Sequence, residues 1–531
     1  MGGKGMDNLE RKRKLRQLLL AVLLPWLLLL IFRVGILCND GETDPDAFYH
    51  AKLAEQGPSV FLAKQFPALS MSIWKDHFSN KEMGFHFILW GLHRVGSAVG
   101  LKTSFPFHFY TLFFLALLLT VIALTLVRWN ISCPWYYTLL FTGAYYVFTT
   151  RLLFLRAYLL SMSLFVLVIF LLSAEELKKS RWRLRGLFVI GILFSWCYSN
   201  PHFILFPTVA FAFAEFLADR NWRRLPVLPS VALLGVISGL CLHPQFPNTW
   251  LILKIQCWDV LKMVFGSGAE AKIRGGNEFY FNSFQSLIRA PFLAGLPFFL
   301  AFLAWRWRTY WFQAGWQRRV NFNALLLLFV SSFIAFLFIF RFIEYAMPSG
   351  VLLTALLAQG CEKAGKEAGG RQFLASCHLI GFYVIWSYML LVPSLLAFKG
   401  KNHKPYSGVA DWAQRKGIPA GTIIANPRWG AFPMLYYAMP QYRYFNGLDP
   451  MFAYAYDAEK ALIVEDMRTA SNILPPEKFR ELTGADYLHV SADSTKLATA
   501  VLRKGYTSVY YGWDGWIFQL KDSKVAQPSR L

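Results

Sequence analysis

As far as residue 396 the chain alternates long apolar runs with short polar ones. The apolar runs cover residues 17–37, 105–127, 134–150, 152–173, 187–200, 203–218, 226–242, 290–305, 321–340, 342–360 and 373–396. The first holds LLLAVLLPWLLLLIF without a charge, and a run of about twenty such residues crosses a bilayer as a helix. The pattern predicts about eleven membrane-spanning helices. Beyond residue 398 the runs shorten and Asp and Glu return. Thr422–Ala425, Tyr487–Val490 and Tyr506–Tyr511 read as strands, and 458–473 and 495–504 as helices. The expected fold is therefore mostly α: a transmembrane helical bundle over residues 1–397, then a small α/β domain over 398–531.

The polar segments set the expected orientation. Basic residues cluster at Arg11–Arg16, Lys178–Arg185, Arg220–Arg224, Arg306–Arg319 and Lys363–Arg371. Such clusters stay on the cytoplasmic side of a membrane. All of them fall there if residues 84–101 do not cross. That segment carries His86, His93 and Arg94, costly against lipid, and reads as an amphipathic helix at the outer interface. The long loops 38–104 and 243–289 and the C-terminal domain are then extracytoplasmic. Long loops on one face of a bundle point to chemistry at the membrane surface.

Composition strengthens the membrane reading. The 531 residues are 56% hydrophobic, 17% aromatic and only 16% charged, against about 25% charged in soluble domains. The net charge of +23 could suggest nucleic acid. Its confinement to clusters between apolar runs suits cytoplasmic loops instead, so no nucleic-acid partner is expected. The N-terminal basic cluster and apolar run resemble a signal peptide, but the run is too long and no small-x-small site follows, so it reads as an uncleaved span. The seven cysteines form no CxxC pair, and no disulfide framework or metal site is legible. No internal repeat is visible.

The densest chemistry follows the first apolar run: Asp40, Glu42, Asp44 and Asp46, with Tyr49 and His50 just beyond. Clustered carboxylates repel unless they bind a cation, share a proton or face solvent. At a low-dielectric boundary a carboxylate can serve as a general base. The plainer alternative is a solvated turn, with Asp44 at a helix N-cap and Asp46 in the first turn. Farther on, Arg341 and Glu344 interrupt an apolar stretch in RFIEYAMP. Ionisable groups there are candidates for function. The alternatives are a snorkelling arginine or an Arg341–Glu344 pair one helical turn apart.

DPDAFYHAKLAE resembles the first-external-loop motif of the glycosyltransferase C-type (GT-C) superfamily. Asp46-Ala47-Phe48-Tyr49-His50 matches the D-x-x-Y-H form of the catalytic subunits of archaeal oligosaccharyltransferase, and bacterial relatives are similar. The resemblance implies that Asp46, with Asp44 second, is the catalytic base or binds a divalent cation, Mg or Mn, that activates the acceptor. Tyr49 and His50 become substrate-binding candidates. RFIEYAMP resembles the RF…Y…P pattern of a late helix in the same enzymes, which implies that Arg341 binds the phosphate of a lipid-linked donor, with Glu344 beside it. Arginine suits that task because its planar fork grips phosphate oxygens in pairs.

Weaker candidates are Arg151 and Arg156 in TTRLLFLRAYLLS, His202 at a break between two runs, and Glu278 in a glycine-rich external loop. Isolated histidines such as His77 and His86 read as structural. The sequence departs from oligosaccharyltransferases in two places. It has no DxD or DxE near 148–151 and no WWDYG. The similar YGWDGW at 511–516 reads as a hairpin turning at Asp514-Gly515.

The expected function is a bacterial inner-membrane glycosyltransferase. It would move a sugar or glycan from a polyprenyl-phosphate donor to an acceptor, which is a glycolipid, a polysaccharide or a protein. The rival readings are a transporter, which should show inverted repeats and mid-span charges, and a non-catalytic envelope-assembly protein.

Overall fold

The computed structural model describes residues 2–36, 42, 44–100, 106–178, 180–276, 291–306, 315–368, scattered positions between 381 and 396, and 406–520. The chain divides into two compact units. One comprises Met1–Asp40, Gly96–His243 and Asn277–Lys401; the other comprises Gly41–Val95, Pro244–Gly276 and Asn402–Leu531.

The first unit is helical. Among the described residues the structure has six helices long and apolar enough to cross a membrane: Asn8–Val34, Phe107–Arg128, Pro201–Asp219, Trp222–Cys241, Trp316–Phe338 and Phe340–Gly360. Tyr158–Leu172 and Pro297–Arg306 are shorter apolar helices. The apolar run 134–150 bends between the helices Pro134–Gly143 and Tyr146–Leu152, and 187–200 lies mostly in the helix Arg181–Cys197. The run 373–396 falls largely outside the described residues.

Only 22% of the apolar window of Asn8–Val34 is buried. Leu19, Leu20, Leu23, Leu27 and Ile31 are exposed along it. No described residue covers this face, and a multi-pass membrane protein presents such faces to lipid. Near the end of the same helix Arg33 is fully buried and donates to the carbonyls of Leu153 and Phe107, the latter at 3.1 Å. Those carbonyls offset the desolvation of its charge.

Close helix packing here is set by glycine. Gly191 on Arg181–Cys197 faces Gly235 on Val227–Cys241, and a Cβ on Gly235 would come within 2.4 Å of the Phe188 carbonyl oxygen. Small residues let membrane helices approach until dispersion contacts form along the backbones.

The second unit carries the only sheet among the described residues: β1 (Ile423–Ala425), β2 (Arg443–Tyr444), β3 (Tyr487–Ser491), β4 (Thr507–Gly512) and β5 (Gly515–Gln519). The spatial order is β2-β1-β3-β5-β4. β1 is parallel to β2 and β3, while β5 runs antiparallel to β3 and β4. The three expected strands are present. β2 is too short to show a period in the sequence, and it came to light only in the structure.

The terminal hairpin differs by one residue from the expected turn. Its loop is Trp513-Asp514, and Gly515 already pairs with Gly512. The Asp514 carboxylate accepts from the Val409 amide at 2.9 Å and from the Tyr510 hydroxyl at 2.7 Å, which fixes it in the turn. Gly515 takes φ +137°, where a Cβ would meet the Val490 carbonyl oxygen at 2.3 Å.

The loop expected between the first two spans contributes directly to this unit. Leu69 bridges Tyr444 in parallel, the Ser70 amide donates to the Tyr444 carbonyl at 2.7 Å, and the Met71 amide donates to Phe445 at 3.0 Å. Residues 68–71 thus extend the sheet beyond β2 and satisfy its edge.

Candidate functional site

Asp44 and Asp46 stand at the start of the helix Pro45–Gln56. Proline at the first helical position and a carboxylate in the first turn favour initiation there. Gly57, at φ +79°, closes the helix, its amide bonding Leu53 at 2.9 Å. Asp44 takes the N-cap position and is buried, yet its side chain makes no capping bond. Its amide instead donates to the buried Glu42 carboxylate at 3.1 Å. Asp46 is half-buried. The acidic stretch is therefore not a fully solvated turn.

The helix buries Ala47, Phe48, Tyr49, His50, Leu53 and Ala54. Phe48 meets Tyr437 edge-on and Tyr49 meets Phe432, both from the helix Phe432–Ala438 and its flank. The Tyr436 hydroxyl donates to Gln56 at 2.8 Å. These contacts hold the Asp46 helix against the C-terminal part of the same unit. The Tyr49 hydroxyl is buried with no hydrogen-bond partner among the described residues. Burial, reinforced by the charge of Glu82, keeps that phenol protonated well above its usual range.

One turn after Asp46, His50 points into a polar cluster. Its Nδ1 lies 2.8 Å from Nε2 of His86 and 3.9 Å from a Glu82 oxygen. His86 Nδ1 lies 2.8 Å from Asn80 Oδ1. Burial, with His50 beside it, pushes the His86 pKa down to about 3 against the pull of Glu82. The ligand atoms of His50, Glu82 and His86 all lie within 4.8 Å of one another, and all three residues are buried. Among the described residues this is the one cluster with metal-ligand spacing. Asp44 and Asp46, the metal ligands the resemblance implied, are not part of it. The sequence reading took His86 for structural and passed over Glu82. The signal was present, since Glu82 and His86 stand four apart at the start of the helix Met83–Ala98.

In the first unit the structure gathers Arg151, Glu344 and Arg341 around a residue the sequence reading did not single out, Tyr198. Glu344 is fully buried and bound by Arg151. Its other oxygen accepts from the Tyr198 hydroxyl at 3.1 Å. Arg341 Nε in turn donates to the Tyr198 oxygen at 3.0 Å, and its guanidinium lies 5.3 Å from the Tyr198 ring centre.

Arg151 lies over the rings of Tyr158 and Phe340, and its carbonyl accepts from the Tyr158 hydroxyl at 2.5 Å. Its side chain is 13% exposed, so it does not snorkel. Arg341 lies in the single turn Phe340–Phe342, which joins Trp316–Phe338 to Ile343–Ala368. Glu344 pairs with Arg151, and Tyr198 links that pair to Arg341. Guanidinium groups fixed in this way can grip an anion in pairs of hydrogen bonds.

Arg156 is half-buried in the turn before Tyr158–Leu172. His202 lies in the turn Pro201–Ile204 with its ring against Phe203 at 4.6 Å. Glu278 lies outside the described residues.

No protein-family model matches the chain, and no curated protein matches it. Solved structures do. The oligosaccharyltransferase of Archaeoglobus fulgidus in complex with Zn and sulfate superimposes with a TM-score of 0.59 at 12% identity, over 94% of this chain and 73% of that one. The same enzyme tethered to an acceptor peptide containing the NVT sequon gives 0.56 at 11% identity, over 96% and 74%. ArnT from Cupriavidus metallidurans bound to undecaprenyl phosphate gives 0.53 at 16% identity, over 96% and 98%. Helical bundle, candidate spans and small C-terminal sheet together give this chain the fold of the GT-C glycosyltransferases.

Proposed function

We propose that the protein is an integral membrane glycosyltransferase that uses a polyprenyl-phosphate-linked donor and works at the extracytoplasmic face. The observation that carries the reading is the Arg341–Tyr198–Glu344–Arg151 cluster. A fully buried carboxylate and a tyrosine hold two guanidinium groups in place, and such forks suit the oxygens of a phosphate leaving group. Tyr198 orients Arg341 through its Nε, and the guanidinium then grips the phosphate oxygens. Arg156 and His202 are secondary contacts to the donor.

Asp46 is the base. The acceptor hydroxyl or amide attacks the anomeric carbon, its proton passes to the Asp46 carboxylate, and the bond from that carbon to the phosphate oxygen breaks. The lipid phosphate leaves with the bonding electrons, and a single displacement inverts the anomeric centre. Tyr49 and His50 support Asp46 from the buried face of its helix, and Glu278 is assigned to acceptor contact. A divalent cation, if used, would supply charge neutralisation at the leaving phosphate or the acceptor. An inner membrane of a bacterial envelope suits such a donor.

Lipid extracts from cells lacking the gene provide the test. They should accumulate one polyprenyl-phosphate-linked sugar. The wild-type gene should clear it, and Asp46→Asn should not. An unchanged lipid-linked pool in the deletion strain would overturn the assignment.

A further inference from the structure

Glu82 and His86 lie one helical turn apart, and the His86 amide bonds the Glu82 carbonyl at 3.0 Å. His50 approaches them from the helix that carries Asp46. The orientation of His86 is fixed by an amide whose own direction is settled. Asn80 Nδ2 donates to the Phe61 carbonyl at 3.2 Å, so its Oδ1 is the atom facing His86 and also accepts from the Glu82 amide at 3.2 Å. The Asn80 backbone N–H donates to the Gln245 side-chain oxygen at 2.6 Å. An oxygen can only accept, so His86 carries its proton on Nδ1 and turns the lone pair of Nε2 toward His50 and Glu82. Histidine ligands of metal ions are oriented in this way, with the far ring nitrogen bound to a fixed acceptor.

We infer that His50, Glu82 and His86 bind a transition-metal ion of the zinc class, which clamps the Asp46 helix to the helix Met83–Ala98. Two imidazoles and one carboxylate form a donor set that zinc takes with three protein ligands. Magnesium and calcium select oxygen donors, so they are the poorer fit. Glu82 is a buried carboxylate, and the ion supplies the opposite charge that such a group requires.

Ligation needs two small adjustments. Nitrogens about 2 Å from a tetrahedral zinc stand about 3.3 Å apart, so the present 2.8 Å between His50 and His86 opens slightly. The proton that His50 Nδ1 shares with His86 moves to His50 Nε2 or leaves to solvent. The inference concerns the second unit alone and holds whether or not the chain transfers sugar.

The full chain, purified in detergent and stripped with a chelator, is re-equilibrated with zinc chloride, desalted and assayed for metal by mass spectrometry. Wild type should retain about one zinc per chain. Asp44→Asn and Asp46→Asn should retain as much, and Glu82→Gln and His86→Gln should retain almost none. The melting temperature of the wild type should fall with chelator and recover with zinc, and the two ligand variants should respond to neither.

Where a ligand variant fails to fold, cobalt added to stripped wild type decides the matter. A four-coordinate site gives intense visible absorption, which one equivalent of zinc abolishes. No retained zinc in wild type, full retention in Glu82→Gln and His86→Gln, or loss confined to the aspartate variants would each overturn the site. In the last case the ion belongs to Asp44 and Asp46.

Discussion

The role of Arg341 rests on its place beside Tyr198 and on the planar fork of its guanidinium. Glu344, three residues on, was open to pairing with it along the helix. In the structure that carboxylate is taken by Arg151, 193 residues earlier in the chain, and by Tyr198. Arg341→Lys keeps the charge but removes the planar fork and the Nε donor to Tyr198, so the apparent KM for the lipid-linked donor should rise with little change in kcat. Arg341→Ala should cost more, on the order of 2–4 kcal/mol of donor binding. Equal donor dependence in all three proteins would show that Arg341 does not touch the phosphate.

Asp46→Asn removes the proton acceptor and keeps the shape, so turnover should fall by roughly a hundredfold or more with donor affinity near wild type. Asp44→Asn should cost less. The reverse ranking would make Asp44 the base. At this scale the sequence marked Asp46 through the acidic cluster after the first apolar run, and Arg341 and Glu344 as ionisable groups within another. It could not show Tyr198, whose importance comes from partners brought near only by folding. His50 and His86 stand 36 residues apart and carry no spacing that marks a site.

At the scale of elements, hydrophobic period was a sound guide where a run is long and uniform. The runs 105–127 and 321–340 became the helices Pro106–Arg128 and Trp316–Phe338. It was weaker where backbone chemistry decides. The run 134–150 divides between two helices, and the hairpin turn shifted by one residue because Asp514 serves the Val409 amide. The close crossing at Gly191 and Gly235 is another feature without a hydropathy signal. Gly235→Leu has no room, since the first added carbon meets backbone oxygen. The helices must separate, and the substitution should destabilise the bundle by about 1–3 kcal/mol. Thermal unfolding in detergent should show the loss. Gly295→Leu, where a Cβ meets nothing within 4 Å, should leave the melting temperature nearly unchanged. Equal stability of both variants would remove the close-approach argument.

For the whole molecule, composition made a multi-pass membrane protein legible, and the structure bears this out with helices whose exposed faces are apolar. What composition did not show is that residues 41–95 and 244–276 join the C-terminal residues in one unit. That grouping rests on backbone bonds such as Ser70 to Tyr444, which leave no mark in either segment alone. The expected sidedness follows from charge. The basic clusters all reach the cytoplasm only if Met83–Ala98 stays on one side. This helix carries His86, His93 and Arg94, which are costly against lipid. Alkaline phosphatase fused after Gly100 or after Lys399 should therefore be active, and a fusion after Lys179 should be inactive. An active fusion after Lys179 with an inactive one after Gly100 would mean that Met83–Ala98 crosses. The later basic clusters would then face outward, and the sidedness assigned to the donor cluster at Arg341 would be reversed.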